Sequence, residues 1–145
     1  MPAAVLLKAK LYQGEGTAKQ PSLPSLKGGR CTCGAVFFPM QTYGCEFCGS
    51  HGDALQPVAL SGKGKLMSAA TVHLHAAKSA NPKVKPLTAP FTVGVIRLDD
   101  GPTIRTLIVG ARDKDLAPGT EMVATLEHVG AEDPALVDLR FTPAR

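Results

Sequence analysis

Tryptophan is absent from this 145-residue chain, and only seven residues are aromatic, two tyrosines and five phenylalanines. Proteins that hold single-stranded nucleic acid need exposed rings for base stacking beside a positively charged groove. Seven rings leave little to build such a platform. No run of about 18 apolar residues occurs, which excludes a transmembrane helix. The apolar patch near the start is only Val5, Leu6 and Leu7, and lysines follow it rather than precede it. A secretory leader has the opposite order and a longer core. The expectation is a cytoplasmic protein whose thiols stay reduced.

Excess charge is also scarce. The net charge is +4, and all of it lies in residues 1–65, which carry seven Lys/Arg against three acids; residues 66–145 carry nine of each. Four metal-bound thiolates with Zn²⁺ would contribute about −2 and halve the excess. The second half therefore offers no net basic surface to a polyanion.

What the chain does have is 44% apolar residues. That suffices for one compact domain, or for a small module attached to a barrel of about 80 residues. Residues 13–29 are rich in Gly, Pro, Ser and Lys without periodicity and read as a linker; a short helix over Ala3–Tyr12 is weakly indicated before it. Residues 1–29 are thus assigned to an arm, 30–60 to a cysteine module and 61–145 to a barrel. Five strand patterns follow: Lys65–His75, Phe91–Leu98, Ile104–Val109, Glu121–Val129 and Leu136–Phe141. The turn sequence Asp99-Asp100-Gly101-Pro102 makes a hairpin of the second and third. Gly94, inside the second, marks a bulge or a sharp bend. In the last, Val137, Leu139 and Phe141 alternate with Asp138 and Arg140. Five short strands suit a Greek-key barrel of the OB type, and the count alone also allows other small barrels.

All four cysteines fall in the small module, as Cys31-x-Cys33 and Cys45-x₂-Cys48. Two close pairs on two turns are the spacing of a zinc ribbon. Zn²⁺ takes four thiolates tetrahedrally at about 2.3 Å and displaces their protons. Gly34 and Gly49 each follow a pair, where the backbone must turn tightly. Two disulfides, or a redox-active Cys45/Cys48 pair, are the competing readings.

Elsewhere the chemistry is sparse. Asp99 and Asp100 are explained by the turn they occupy. His73 and His75 share one outward strand face, and His51 reads as a solvated side chain near the second knuckle. If zinc takes every thiol, no cysteine remains as a nucleophile, and a site closed by four cysteines has no open position for water.

The segments Leu26-Lys27-Gly28-Gly29-Arg30-Cys31, Cys33 through Pro39 (CGAVFFP), Cys45 through Ser50 (CEFCGS) and Leu60 through Leu66 (LSGKGKL) resemble the family known as domain of unknown function 35. Pro90–Gly101 and Leu116–Val123 fit the same family's barrel. The chain departs from the family pattern in a first knuckle one residue shorter and in Glu46, where proline is usual. The resemblance implies a rubredoxin-like zinc ribbon joined to a five-stranded OB-fold, with Cys31, Cys33, Cys45 and Cys48 as ligands of a structural zinc. It also implies an accessory, non-catalytic role beside a thiolase-like large subunit, as in thiolases of the benzoylsuccinyl-CoA type, where the small subunit helps to hold coenzyme A. Under that reading Lys78, Lys83 and Lys85, in the long loop between the first two barrel strands, would meet the coenzyme A phosphates. A single-stranded nucleic-acid-binding OB protein is the alternative.

Overall fold

The computed structural model describes residues 5–73, 83–85, 87, 89–130 and 135–144. Ten strands carry the architecture. They are β1 (Val5–Leu6), β2 (Tyr12–Gln13), β3 (Ser25–Cys31), β4 (Val36–Phe37), β5 (Leu55–Leu60), β6 (Lys63–Val72), β7 (Phe91–Leu98), β8 (Thr103–Ile108), β9 (Glu121–His128) and β10 (Leu136–Pro143). Among the described residues the only helical segments are two short 3₁₀ turns, Gly52–Ala54 and Asp113–Asp115.

Strands β6 to β10 form a closed five-stranded barrel. Antiparallel pairings run β8–β7–β6–β9–β10, and a parallel contact at Phe141↔Ile108 joins β10 back to β8. This is the Greek-key order of an OB-fold. The hairpin between β7 and β8 is present, with the Leu98 amide donating to the Pro102 carbonyl at 2.9 Å. Phe141, Ile96 and Met122 are fully enclosed, and Leu66, Leu98, Ile104, Ile108 and Leu139 pack around them.

Of the bulge or bend expected at Gly94, the bulge lies elsewhere. Its strand keeps regular register on both sides, whereas the register shift lies in β6 between Leu66 and Ser68. A Cβ at Gly94 would strike the Ile108 side chain. The glycine leaves room for this core residue of the neighbouring strand β8.

The second sheet is antiparallel and centred on β3. Strand β5 runs along one edge, from Leu26↔Leu60 to Cys31↔Leu55, while β2 and then β4 share the other. Two sequence expectations are corrected here. Ser25–Gly29, read as the end of an unstructured arm, are strand, and Val5–Leu6 pair in parallel with β10 rather than starting a helix. The apolar pattern of LKGGRC is too short and glycine-rich to show strand periodicity, and it becomes a strand because β5 pairs along it.

The two sheets share one core. Tyr12, Leu26 and Leu60 of the ribbon sheet belong to the same buried cluster as the barrel residues. Where the arm crosses β10, it also covers Asp138, which is 8% exposed although strand alternation turns it outward. The Tyr12 hydroxyl donates to Asp138 Oδ1 at 2.6 Å and accepts from the Lys8 amide at 3.1 Å. Burial first, then the carboxylate, holds the Tyr12 phenol well above its usual range. Buried polar groups are tolerated when they are paired in this way.

The link between sheets is tied to the barrel hairpin. Asp100 Oδ2 accepts from the Ser61 amide at 2.5 Å, and the Asp99 amide donates to the Lys63 carbonyl at 3.0 Å. The Asp100 carboxylate is therefore structural and anchors the chain as it leaves β5.

Candidate metal centre

Each cysteine pair sits on a tight turn stabilised by its own backbone. At the first, the Cys31 amide donates to Ala35 O at 2.8 Å and the Gly34 amide to Cys31 O at 2.9 Å. At the second, the Cys45 amide donates to Ser50 O at 2.7 Å and the Gly49 amide to Cys45 O at 2.9 Å. Both turns close through glycines of positive φ, Gly34 at 96° and Gly49 at 79°. A side chain there would meet open space but a strained backbone.

These turns face one another. Cys31 Sγ lies 3.4 Å from Cys48 Sγ, and Cys33 Sγ lies 3.7 Å from Cys45 Sγ. All four sulfurs fall within 4.8 Å of each other. Four thiolates placed tetrahedrally at about 2.3 Å from a zinc ion would be about 3.8 Å apart. The geometry fits one metal ion, and the shorter Cys31-x-Cys33 knuckle delivers both of its sulfurs to the cluster. The structure holds the cysteines as thiols with no disulfide. The close contacts run between knuckles rather than within them, which suits a shared ion better than a Cys45/Cys48 redox pair.

The local electrostatics favour thiolates at the second knuckle. The Cys48 and Phe47 amides lower the Cys45 thiol, and the hydroxyl and then the amide of Ser50 lower Cys48 to about 6. Ser50 Oγ lies 3.3 Å from Cys48 Sγ. Ser50 was not singled out from sequence, although its place two residues beyond the knuckle is the available signal. Against the Ala35 amide, which favours the thiolate, the sulfurs around Cys33 push its thiol up to about 12. Four thiolates at this spacing repel one another, and a divalent cation removes that conflict.

Cys31 and Cys45 are buried with Leu55 in a small second core, against partly buried Ala35, Phe37 and Met40. Cys33 and Cys48 are exposed. His51 is exposed and stands outside the sulfur cluster, as does His73, while His75 lies outside the described residues. Lys83 and Lys85 are exposed, and Lys78 lies outside the described residues. Between Lys83 and Lys85, Val84 bridges Gly130, and the Lys85 amide donates to Val129 O at 2.8 Å. The structure therefore gathers the four cysteines and places Lys83 and Lys85 elsewhere, beside the end of β9. No helix among the described residues is long and apolar enough to cross a membrane.

A four-cysteine ribbon packed on a closed OB-type barrel defines the class of protein. Residues 57–127 match the family model described as the C-terminal OB-fold domain of ChsH2. A DUF35 domain-containing scaffold protein of Methanocaldococcus jannaschii is 30% identical over 105 residues, spanning 72% of this chain and 69% of the relative. The solved structure described as the Ltp2-ChsH2(DUF35) aldolase superposes with a TM-score of 0.63 at 24% identity, covering 83% of this chain and 86% of that one. The chain belongs to the DUF35 family.

Proposed function

We propose that this chain is a non-catalytic accessory subunit. In this reading Cys31, Cys33, Cys45 and Cys48 hold a structural zinc ion, and the ribbon it stabilises assembles with an acyl-CoA enzyme of the thiolase type. A four-thiolate site has no open coordination position, so the metal's contribution is to the fold. The observation that carries the assembly role is at the ribbon tip. Tyr43 is 85% exposed and Phe47 75% exposed. The two rings flank a groove of about 190 Å³ that Phe37, Phe38 and Pro39 also line. Large aromatic side chains grouped on a surface are typical interface anchors. The name of the M. jannaschii relative, a scaffold protein, agrees with that role.

Affinity purification of the tagged chain from its native cells should recover a large acyl-CoA-handling subunit. The double variant Tyr43→Ser/Phe47→Ser should weaken that association about 30-fold or more, the effect of losing interface anchors. Its zinc content should stay at one per chain, because neither ring is a ligand. Recovery of the partner at the wild-type level would remove the tip from the interface.

Coenzyme A binding is the finer part of the proposal. Its phosphates would meet Lys83 and Lys85, with Lys78 on the same loop. These contacts are exposed and screened by salt, so each contributes modestly. Changing all three lysines to alanine should raise KM for coenzyme A in the assembled complex and leave kcat nearly unchanged. If the same variant instead loses salt-dependent single-strand nucleic-acid binding with unchanged KM, the alternative reading holds.

A further inference from the structure

A cavity of about 210 Å³ opens where the start of β7, the end of β8 and β10 meet. Its lining is about half apolar, with Phe91, Leu107 and Val109 on that side, and two arginines also line it, Arg112 and Arg140. No acidic side chain lines it among the described residues.

Arg140 is 18% exposed, and its Nε is buried without a hydrogen-bond partner among the described residues. The nearest carboxylate, Asp138 Oδ2, stands 3.6 Å from that nitrogen, too far for a hydrogen bond. Asp138 cannot turn fully toward it, because Oδ1 is engaged by the Tyr12 hydroxyl at 2.6 Å. Arg112 is exposed at the rim and makes no ion pair among the described residues. Asp138, which pairs with Arg140, is thus the one acid within ion-pair distance of either guanidinium among the described residues, which leaves one positive charge unmatched at the cavity. A buried donor without a partner is costly, and a guanidinium in low-dielectric surroundings binds oxyanions through paired N–H groups.

We propose that this cavity binds a singly charged oxyanion, a carboxylate or a phosphodiester, attached to a small apolar group. The Arg140 guanidinium, 18% exposed, meets the anion from the wall and Arg112 from the rim, while Phe91, Leu107 and Val109 contact the apolar part. A volume of about 210 Å³ holds a group of several heavy atoms. The site is separate from the cysteine cluster and does not depend on a partner subunit.

The test uses the full-length, zinc-loaded chain and two monoanionic probes, acetate and dimethyl phosphate, followed by NMR. Saturable shifts are expected at the Arg140 Nε–H and at the Val109 and Arg112 amides. The stronger probe tells a carboxylate from a phosphodiester, and saturation by either supports the site. Arg112→Gln, at an exposed position, should weaken binding about tenfold. Arg97→Gln, on an exposed position of β7 outside the cavity, should have no effect. Failure of both probes to saturate these signals would overturn the proposal, as would equal behaviour of the two variants. Because no partner enters the experiment, its failure leaves the accessory-subunit reading untouched.

Discussion

Replacing Cys45 by alanine is expected to reduce bound zinc from one ion per chain to none and to unfold the ribbon tip while the barrel persists. Structural zinc contributes on the order of 10 kcal/mol or more to the folding of small zinc modules. Little else holds this tip: its core is Leu55 with the two buried cysteines, supported by partly buried Ala35, Phe37 and Met40. The base of the ribbon is held differently, since Leu26 and Leu60 belong to the barrel's core. Amide hydrogen exchange should therefore show lost protection at the two knuckles and retained protection in β6–β10. A variant that still carried one zinc per chain would exclude Cys45 as a ligand. Loss of protection throughout the barrel would show that ribbon and barrel unfold as one unit.

Phe141→Ala should produce the opposite map. Phe141 is fully buried on β10, opposite Ala124 of β9 and Ile108 of β8, at the contact that closes the barrel. Truncating a buried phenylalanine costs about 3–5 kcal/mol, part transfer and part cavity. Domains of this size are stable by about 5–15 kcal/mol, so the loss is a large share of the total. The denaturant midpoint should fall steeply, and barrel amides should exchange faster while the sulfur cluster still binds zinc, because its ligands lie in a separate small core. A destabilisation below about 1 kcal/mol, the range of an ordinary surface change, would mean that the barrel does not close around this ring.

Both parts of the molecule were legible in the sequence, each through a local signal. Barrel strands announced themselves by alternation: Val137, Leu139 and Phe141 are all buried, as their spacing requires. The DDGP turn located its hairpin because turn chemistry is local. The four cysteines were equally plain, since thiols at this spacing have few other uses.

Contacts between distant segments could not be read in the same way. Asp138 was legible as an outward residue, and it is buried only because the arm brings Tyr12 across β10, 126 positions away in sequence. Strand β3 carries no periodic signal and exists through its pairing with β5. Asp100 looked like a turn residue, yet it also accepts the Ser61 amide from 39 positions away. Arg112 and Arg140 were single basic residues until the closing of β10 on β8 placed them around one cavity.

The sequence by itself determined the strand-rich class, the inward-facing residues of β10 and the four cysteines that cluster. Each of these follows from side-chain period, turn propensity or ligand spacing, which act over a few residues. Only the tertiary structure decided that ribbon and barrel share a core, that the sulfurs of a shortened knuckle converge, and that a buried carboxylate and two arginines meet where they do. Those outcomes depend on burial and desolvation, which arise only when segments far apart in the chain exclude water from one another.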